Sequence, residues 1–270
     1  MHPRIARATL PLATALSLLA LPAAAQEPSR WAERCREWNR DDDREVVCEE
    51  RETRLGARES LSVDGRQNGG VSVRAWDGSD VLVRAQIRAV APTREEAGEM
   101  ARQVRVSTSD GTVHATGPET NGGRRSWAVS YEIFVPRRMD LEIETHNGPI
   151  SVVGVSGEME LEATNGPMNL RDVGGDVRAR TTNGPLNVQL AGRRWSGGGL
   201  DAQTTNGPVN LTIPDGYSAE LETGTVHGPV RIDIPVTVRG RTSHVRTRLG
   251  SGGAPVRVMT TNGPVTVRTN

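Results

Sequence analysis

The sequence predicts an all-β fold, a β-solenoid of stacked two-strand rungs with Asn-Gly-Pro corners, and three observations carry that expectation. First, Asn-Gly-Pro followed by apolar-x-apolar recurs from Asn147, Asn165, Asn183, Asn206 and Asn262, with a variant at His227-Gly228-Pro229. The corner glycines are 18, 18, 23, 21 and 35 residues apart, near the period at which repeats stack to bury a shared core. Second, the positions two, four and six before each corner are small or apolar, as in Thr145, Ile143, Leu141 and Ala163, Leu161, Met159. After each corner a further pair, such as Ile150 and Val152 or Met168 and Leu170, continues the alternation. A period of two puts each such set on one face of a strand, so each rung supplies two strands. Third, proline follows every corner glycine. A type I′ hairpin needs an N–H where proline has none, so the chain is expected to bend into the next wall. Equivalent strands then stack at about 4.8 Å and the asparagines form a ladder.

Residues 1–25 carry Arg4 and Arg7, an apolar run from Leu10 to Leu21, and Ala23-Ala24-Ala25, the pattern of a secretory signal peptide. The chain is therefore expected to be exported, to the periplasm or to the cell surface and beyond. Residues 26–58 read as a polar N-terminal segment, a cap or linker, helical where Trp31, Cys35 and Trp38 share a face. From residue 59 to 270 alternation takes over, with strands at Leu61 and Val63, Val71 and Val73, Val81 to Ile87, and Trp127 to Val135. One short helix is inserted near 94–104, where Thr93 and Glu96 form a capping box ahead of Ala97, Met100, Ala101 and Val104. Weaker echoes of the corner at Gln67-Asn68-Gly69-Gly70 and Ser109-Asp110-Gly111 imply that the repeat begins near residue 60.

The chain holds 33 basic and 33 acidic residues; losing Arg4 and Arg7 leaves 31 against 33, a net of about −2. Such a balance gives no field for nucleic acid or a membrane surface, and no later stretch has the roughly 20 apolar residues of a membrane span. Cys35 and Cys48 are an even pair in an oxidising compartment and are expected to form a disulfide, worth on the order of 3 kcal/mol.

The Thr-Asn-Gly-Pro-apolar-x-apolar rungs behind a signal peptide resemble the bacterial β-strand-repeat family catalogued as putative adhesin, a domain of unknown function. The likeness runs from about Leu61 to Asn270. It implies a secreted, coiled all-β domain.

Sites are harder to find than architecture. The corner residues Asn147, Asn165, Asn183, Asn206, His227 and Asn262 read as structural, with His227 a ladder substitution. Sheets about 10 Å apart are filled by one layer of side chains from each wall, so no buried pocket is expected and binding falls to outer walls, corners or ends. Glu142, Glu144, Glu160 and Glu162 face outward beside Arg178 and Arg180, and read as a solvated wall whose rungs neutralise one another. Asn39, Asp41, Asp43 and Glu50 match calcium-loop positions, but Arg44 stands where that loop needs glycine. No catalytic, metal or cofactor-binding residue is assigned. From Arg231 onward seven arginines face one acid, Asp233. Two expectations follow. Arg239, Arg241, Arg246 and Arg248 meet an anionic polymer or other cell-envelope component, or the last strand, Val265 to Val267, is an open edge for end-to-end self-association. The function expected is a non-enzymatic structural or interaction module of the cell envelope. An enzyme acting on cell-wall or extracellular polysaccharide is the alternative.

Overall fold

Two ten-stranded sheets face one another, and their strands come from alternate halves of each rung. The computed structural model describes residues 31, 35, 43–120, 123–234 and 243–270. The N-terminal part contains β1 (Glu45–Leu55), β2 (Ser60–Asp64), β3 (Val71–Trp76) and β4 (Val81–Ala91). Helix α1 (Arg94–Gln103) follows, then β5 (Arg105–Ser107), β6 (Thr112–Thr116) and β7 (Ser126–Pro136). The regular coil then runs through β8 (Asp140–Asn147), β9 (Ile150–Val153), β10 (Ser156–Asn165), β11 (Met168–Arg171), β12 (Gly174–Asn183), β13 (Leu186–Gln189), β14 (Gly199–Asn206) and β15 (Val209–Ile213). It ends with β16 (Ala219–His227), β17 (Val230–Asp233), β18 (His244–Leu249), β19 (Pro255–Asn262) and β20 (Val265–Thr269).

Wall A has the order β1-β4-β7-β3-β9-β11-β13-β15-β20-β17, and wall B the order β18-β16-β19-β14-β12-β10-β8-β2-β6-β5. Within the coil the pairing is parallel and in register, Leu161 lying between Ile143 and Ala179, and Leu170 between Val152 and Val188. The inward positions read from the sequence are buried, except Trp127 on β7 and Val230 and Ile232 on β17; the last two are half-buried because β17 ends its sheet. Leu61, Ile143, Met159, Leu161, Met168, Leu170, Leu186 and Leu200 are among the largest fully buried side chains. At about 1.5–3 kcal/mol for each buried apolar side chain, this single-layer core is the main source of stability.

The corners show why proline fits. Rung-to-rung bonds there are carried by glycine and by the residue after proline: Gly166 N–H donates to Asn183 O at 2.9 Å and Met168 N–H to Pro185 O at 2.9 Å. No ladder bond falls on the proline nitrogen. Buried threonines two before the corner donate to backbone carbonyls, Thr181 Oγ1 to Gly166 O at 3.0 Å and Thr204 Oγ1 to Gly184 O at 2.9 Å, while Thr225 Oγ1 donates to Thr261 O at 3.4 Å.

Rung order departs from chain order. Strands β19 and β20 do not lie at the end of the stack; β19 sits between β14 and β16, and β20 between β15 and β17. The expectation that Val265 to Val267 form an open edge is therefore corrected: both sides of β20 are paired, and the outer strands at this end are β17 and β18. The acidic rungs from Glu142 to Glu162 lie in the interior of the stack, not at an end.

At the other end the repeat gives way to antiparallel pairing, β4 against β7 and β1 against β4. Part of the segment read as a polar cap thus enters wall A as its edge strand. Thr93 caps α1, accepting from Glu96 N–H at 3.2 Å, and Ala97, Met100 and Ala101 face inward. Arg51 of β1 donates to the carbonyls of Ala101 and Val104, at 2.9 and 2.5 Å, placing a cation where the helix dipole is negative. The Cys35–Cys48 disulfide is present, with Cα atoms 6.3 Å apart, and ties the N-terminal segment to β1.

Candidate functional site

The asparagine corners form one continuous hydrogen-bonded column. Asn165 Nδ2 donates to Asn147 Oδ1, and Asn183 Nδ2 to Asn165 Oδ1, each at 2.8 Å; Asn206 Nδ2 reaches Asn183 Oδ1 at 2.9 Å and Asn262 Nδ2 reaches Asn206 Oδ1 at 2.8 Å. His227 ends the column with Nδ1 3.1 Å from Asn262 Oδ1. With Asn262 Oδ1 as acceptor, His227 Nδ1 donates and carries the proton. At the other end Asn147 Nδ2 donates to Asn68 Oδ1 at 3.2 Å, which makes the weak Gln67-Asn68-Gly69 echo a true corner. Replacing Asn183 by leucine removes two exposed ladder bonds and is expected to cost about 1–2 kcal/mol, at roughly 1 kcal/mol each; urea unfolding measures it, and a cost indistinguishable from zero would refute a stabilising ladder.

A second amide ladder went unread in the sequence. On the outer face of wall A, Asn210 Nδ2 donates to Asn187 Oδ1 and Asn187 Nδ2 to Asn169 Oδ1, both at 2.8 Å. The signal was available, since Asn169, Asn187 and Asn210 each lie four residues after a corner asparagine. Ser151 precedes this column and Thr266 follows it in register. The adjacent column holds Arg74, Val153, Arg171, Gln189, Thr212 and Arg268. Together they line a groove of about 630 Å³ along the wall. Arg74, Arg171 and Arg268 are exposed, and none of them pairs with a carboxylate among the described residues. Arg268 Nε donates to Thr212 Oγ1 at 3.4 Å.

The arginines singled out from the sequence are placed differently. Arg239 and Arg241 lie outside the described residues. Arg246 and Arg248 stand on β18 and already have partners: Arg246 Nη2 is 3.0 Å from Glu222 Oε1 and Arg248 Nε 3.0 Å from Glu220 Oε1. Glu222 also meets His244 Nε2 at 3.0 Å and Arg257 Nε at 3.7 Å, while Arg257 Nη1 reaches Asp201 Oδ1 at 2.8 Å. Partial burial by itself would raise the Glu222 carboxyl, but Arg246, Arg257 and His244 outweigh it and hold the group below the usual carboxylate range. On wall B, register sets Glu160 opposite Arg178 and Glu162 opposite Arg180, the adjacency expected for a self-neutralising wall. Of the four residues at calcium-loop positions, Asn39 and Asp41 lie outside the described residues.

The expectation of no internal room is corrected at one place. A cavity of about 380 Å³ opens at the N-terminal end, lined by the Gly65–Asn68 corner, the 115–118 segment and the inward side of β7, including Trp127, Val129 and Tyr131. The regular corner column stops at Asn68, so no further rung fills that space. Two aromatic residues, Trp127 and Tyr131, line it.

None of the curated proteins matches the chain. Among solved structures it is similar to a putative cell adhesion protein from Clostridium sporogenes, with TM-score 0.46 and 10% identity over 83% of this chain and 100% of that one. It is also similar to a putative adhesin from Bacteroides fragilis, TM-score 0.31 and 10% identity, covering 82% and 97% of the two chains. A putative lipid binding protein from Parabacteroides distasonis gives TM-score 0.34 and 11% identity over 82% and 97%. The family model described as Toastrack DUF4097 matches residues 58–268, and the chain belongs to that family.

Proposed function

We propose that this chain is an exported, non-enzymatic interaction module of the bacterial cell envelope, and that wall A is its docking face for an extended anionic polymer such as an acidic polysaccharide. The observation that carries the reading is the groove in which an amide ladder runs beside Arg74, Arg171 and Arg268. Strand spacing of about 4.8 Å sets Arg74 and Arg171 roughly 10 Å apart, and Arg171 and Arg268 roughly 14 Å apart. Such a row of cations suits repeated negative charges along a chain better than a single small anion. The amides and hydroxyls between them offer both donors and acceptors. General acid–base chemistry instead requires a pair of groups whose environments separate their pKa values, whereas both outer walls repeat similar groups from rung to rung.

The test is retention of the protein on immobilised dextran sulfate. Changing Arg74, Arg171 and Arg268 together to serine is expected to abolish retention at about 0.1 M salt, where the screening length is about 10 Å. Changing Arg246 and Arg248, already neutralised by Glu222 and Glu220, should leave it nearly unaltered. The opposite pattern would move the anionic site to the C-terminal end and overturn the assignment to wall A.

A further inference from the structure

We propose that the cavity at the N-terminal end of the stack binds a neutral saccharide ring, stacked on Trp127 and hydrogen-bonded by Tyr131 Oη and Asn68 Nδ2. The site shares no lining residue with the groove on wall A, so this inference does not rest on that docking face.

Three features build the site. Tyr131 is 2% exposed, yet its Oη has no hydrogen-bond partner among the described residues. A buried hydroxyl left unpaired costs free energy, and β7 offers inward positions where phenylalanine would avoid that cost. Burial also drives the phenol well above its ordinary pKa, with the Asp64 carboxylate adding to the effect and Arg66 opposing it. The hydroxyl therefore stays protonated and available as a donor.

The second feature is the direction of the corner ladder. Every corner side chain from His227 to Asn147 donates towards Asn68. Asn68 accepts from Asn147, so its own Nδ2 is the last donor of the column, and Asn68 lines the cavity. Donors at the end of an aligned chain are strengthened by the bonds behind them. The ladder thus delivers a donor to the place where its next acceptor is missing.

The third is a fixed aromatic face. Trp127 Nε1 donates to Pro118 O at 2.9 Å, and Gly117 lies against the ring so closely that a Cβ there would be 2.7 Å from it. The indole is held before any ligand arrives. Arg66 is paired with Asp64 at 3.2 Å, which leaves the rim without a free charge among the described residues and favours a neutral ligand. About 380 Å³ lies within the range of roughly 300–1,000 Å³ for small-ligand sites. A saccharide ring matches this set: an apolar face for the indole and oxygen acceptors around its edge. A purely aliphatic ligand would leave both donors unpaired.

The experiment is calorimetric titration of the full mature chain with the trimer of β-1,4-linked N-acetylglucosamine and with maltotriose, following the Trp127 indole ¹H–¹⁵N resonance. Binding of either trimer in the range of about 0.01–1 mM, with a shift of the Trp127 resonance, is expected. Tyr131→Phe should weaken binding about tenfold for one lost hydrogen bond while raising the melting temperature of the free protein. A purely structural tyrosine would not produce that opposition. Asn68→Ala should weaken binding similarly. Absence of heat and shift with both trimers at about 10 mM, roughly tenfold above the weakest dissociation constant expected, would overturn the proposal. So would Tyr131→Phe binding within twofold of wild type, or shifts confined to indoles other than Trp127.

Discussion

Removing residues 254–270 is expected to unfold the C-terminal end of the stack while leaving the rungs before it intact. The deleted segment is β19 and β20, an interior rung that separates β14 and β15 from β16 and β17. It carries Val256, Val258, Val265 and Val267, all buried to within 1% of full exclusion, and each such side chain is worth about 1.5–3 kcal/mol. Their sum approaches the net stability of an ordinary domain. Solenoid stability is a sum over neighbours, so loss should spread to β16, β17 and β18 and stop near Ile213. Hydrogen exchange is the measurement: amides of Leu221, Thr223 and Val245 lose protection and those of Leu161 and Ala179 keep it.

Charge explains why β16 should not simply slide onto β14 to close the gap. Arg257 stands between Asp201 and Glu222, 2.8 Å from the first and 3.7 Å from the second. With β19 removed, direct docking in the same register would set Asp201 against Glu222, two like charges on adjacent strands. Asp201→Asn in the truncated chain, which removes that repulsion and leaves Glu222 paired with Arg246 and His244, is expected to restore protection of β16. Native protection of Leu221 and Thr223 without that change would mean that charge does not set the order of the rungs.

The second large effect is expected at a corner glycine. A Cβ on Gly184 would stand inside contact distance of the Gly166 carbonyl oxygen and carbon, and the same crowding recurs at Gly166 and Gly207. The neighbour is backbone, so nothing can rotate aside. Gly184→Ala must separate two rungs, straining the bonds from Gly166 N–H to Asn183 O and from Met168 N–H to Pro185 O, both at 2.9 Å. A cost of about 3–5 kcal/mol is expected, in the exceptional range for one methyl group, and larger than that of Asn183→Leu at the same corner. Denaturant unfolding of both variants decides it: a cost for Gly184→Ala below about 1 kcal/mol, the centre of the range for ordinary substitutions, would show that the corners are looser than described.

Residues of the proposed binding surfaces were less legible than those of the coil, and the cause differs at each. Asn169, Asn187 and Asn210 repeat at a constant offset, but a lone polar position on an outer wall looks like any solvated residue until its neighbours are stacked on it. Tyr131 has the same parity as Val129 and Ile133 and reads as core; only the end of the corner column at Asn68 leaves its hydroxyl beside empty space. Arg246 and Arg248 drew attention through local excess charge. Their carboxylate partners lie 24 and 28 residues earlier, across an antiparallel pair that the parallel repeat does not announce.

By itself the sequence determined the unit: two strands, their inward faces, the corner with its ladder, the helix that begins after Thr93, and the walls they build. Each follows from local periods and from the missing N–H of proline, which act over a few residues. The order of the units was decided only in three dimensions. Every rung presents the same backbone ladder and the same inward parity, so any rung can pair with any other at nearly equal local cost. The choice falls to side chains that meet only after stacking, as Arg257 meets Asp201 and Glu222. Tertiary structure likewise decided where the column of corners stops, and so where the stack leaves a cavity.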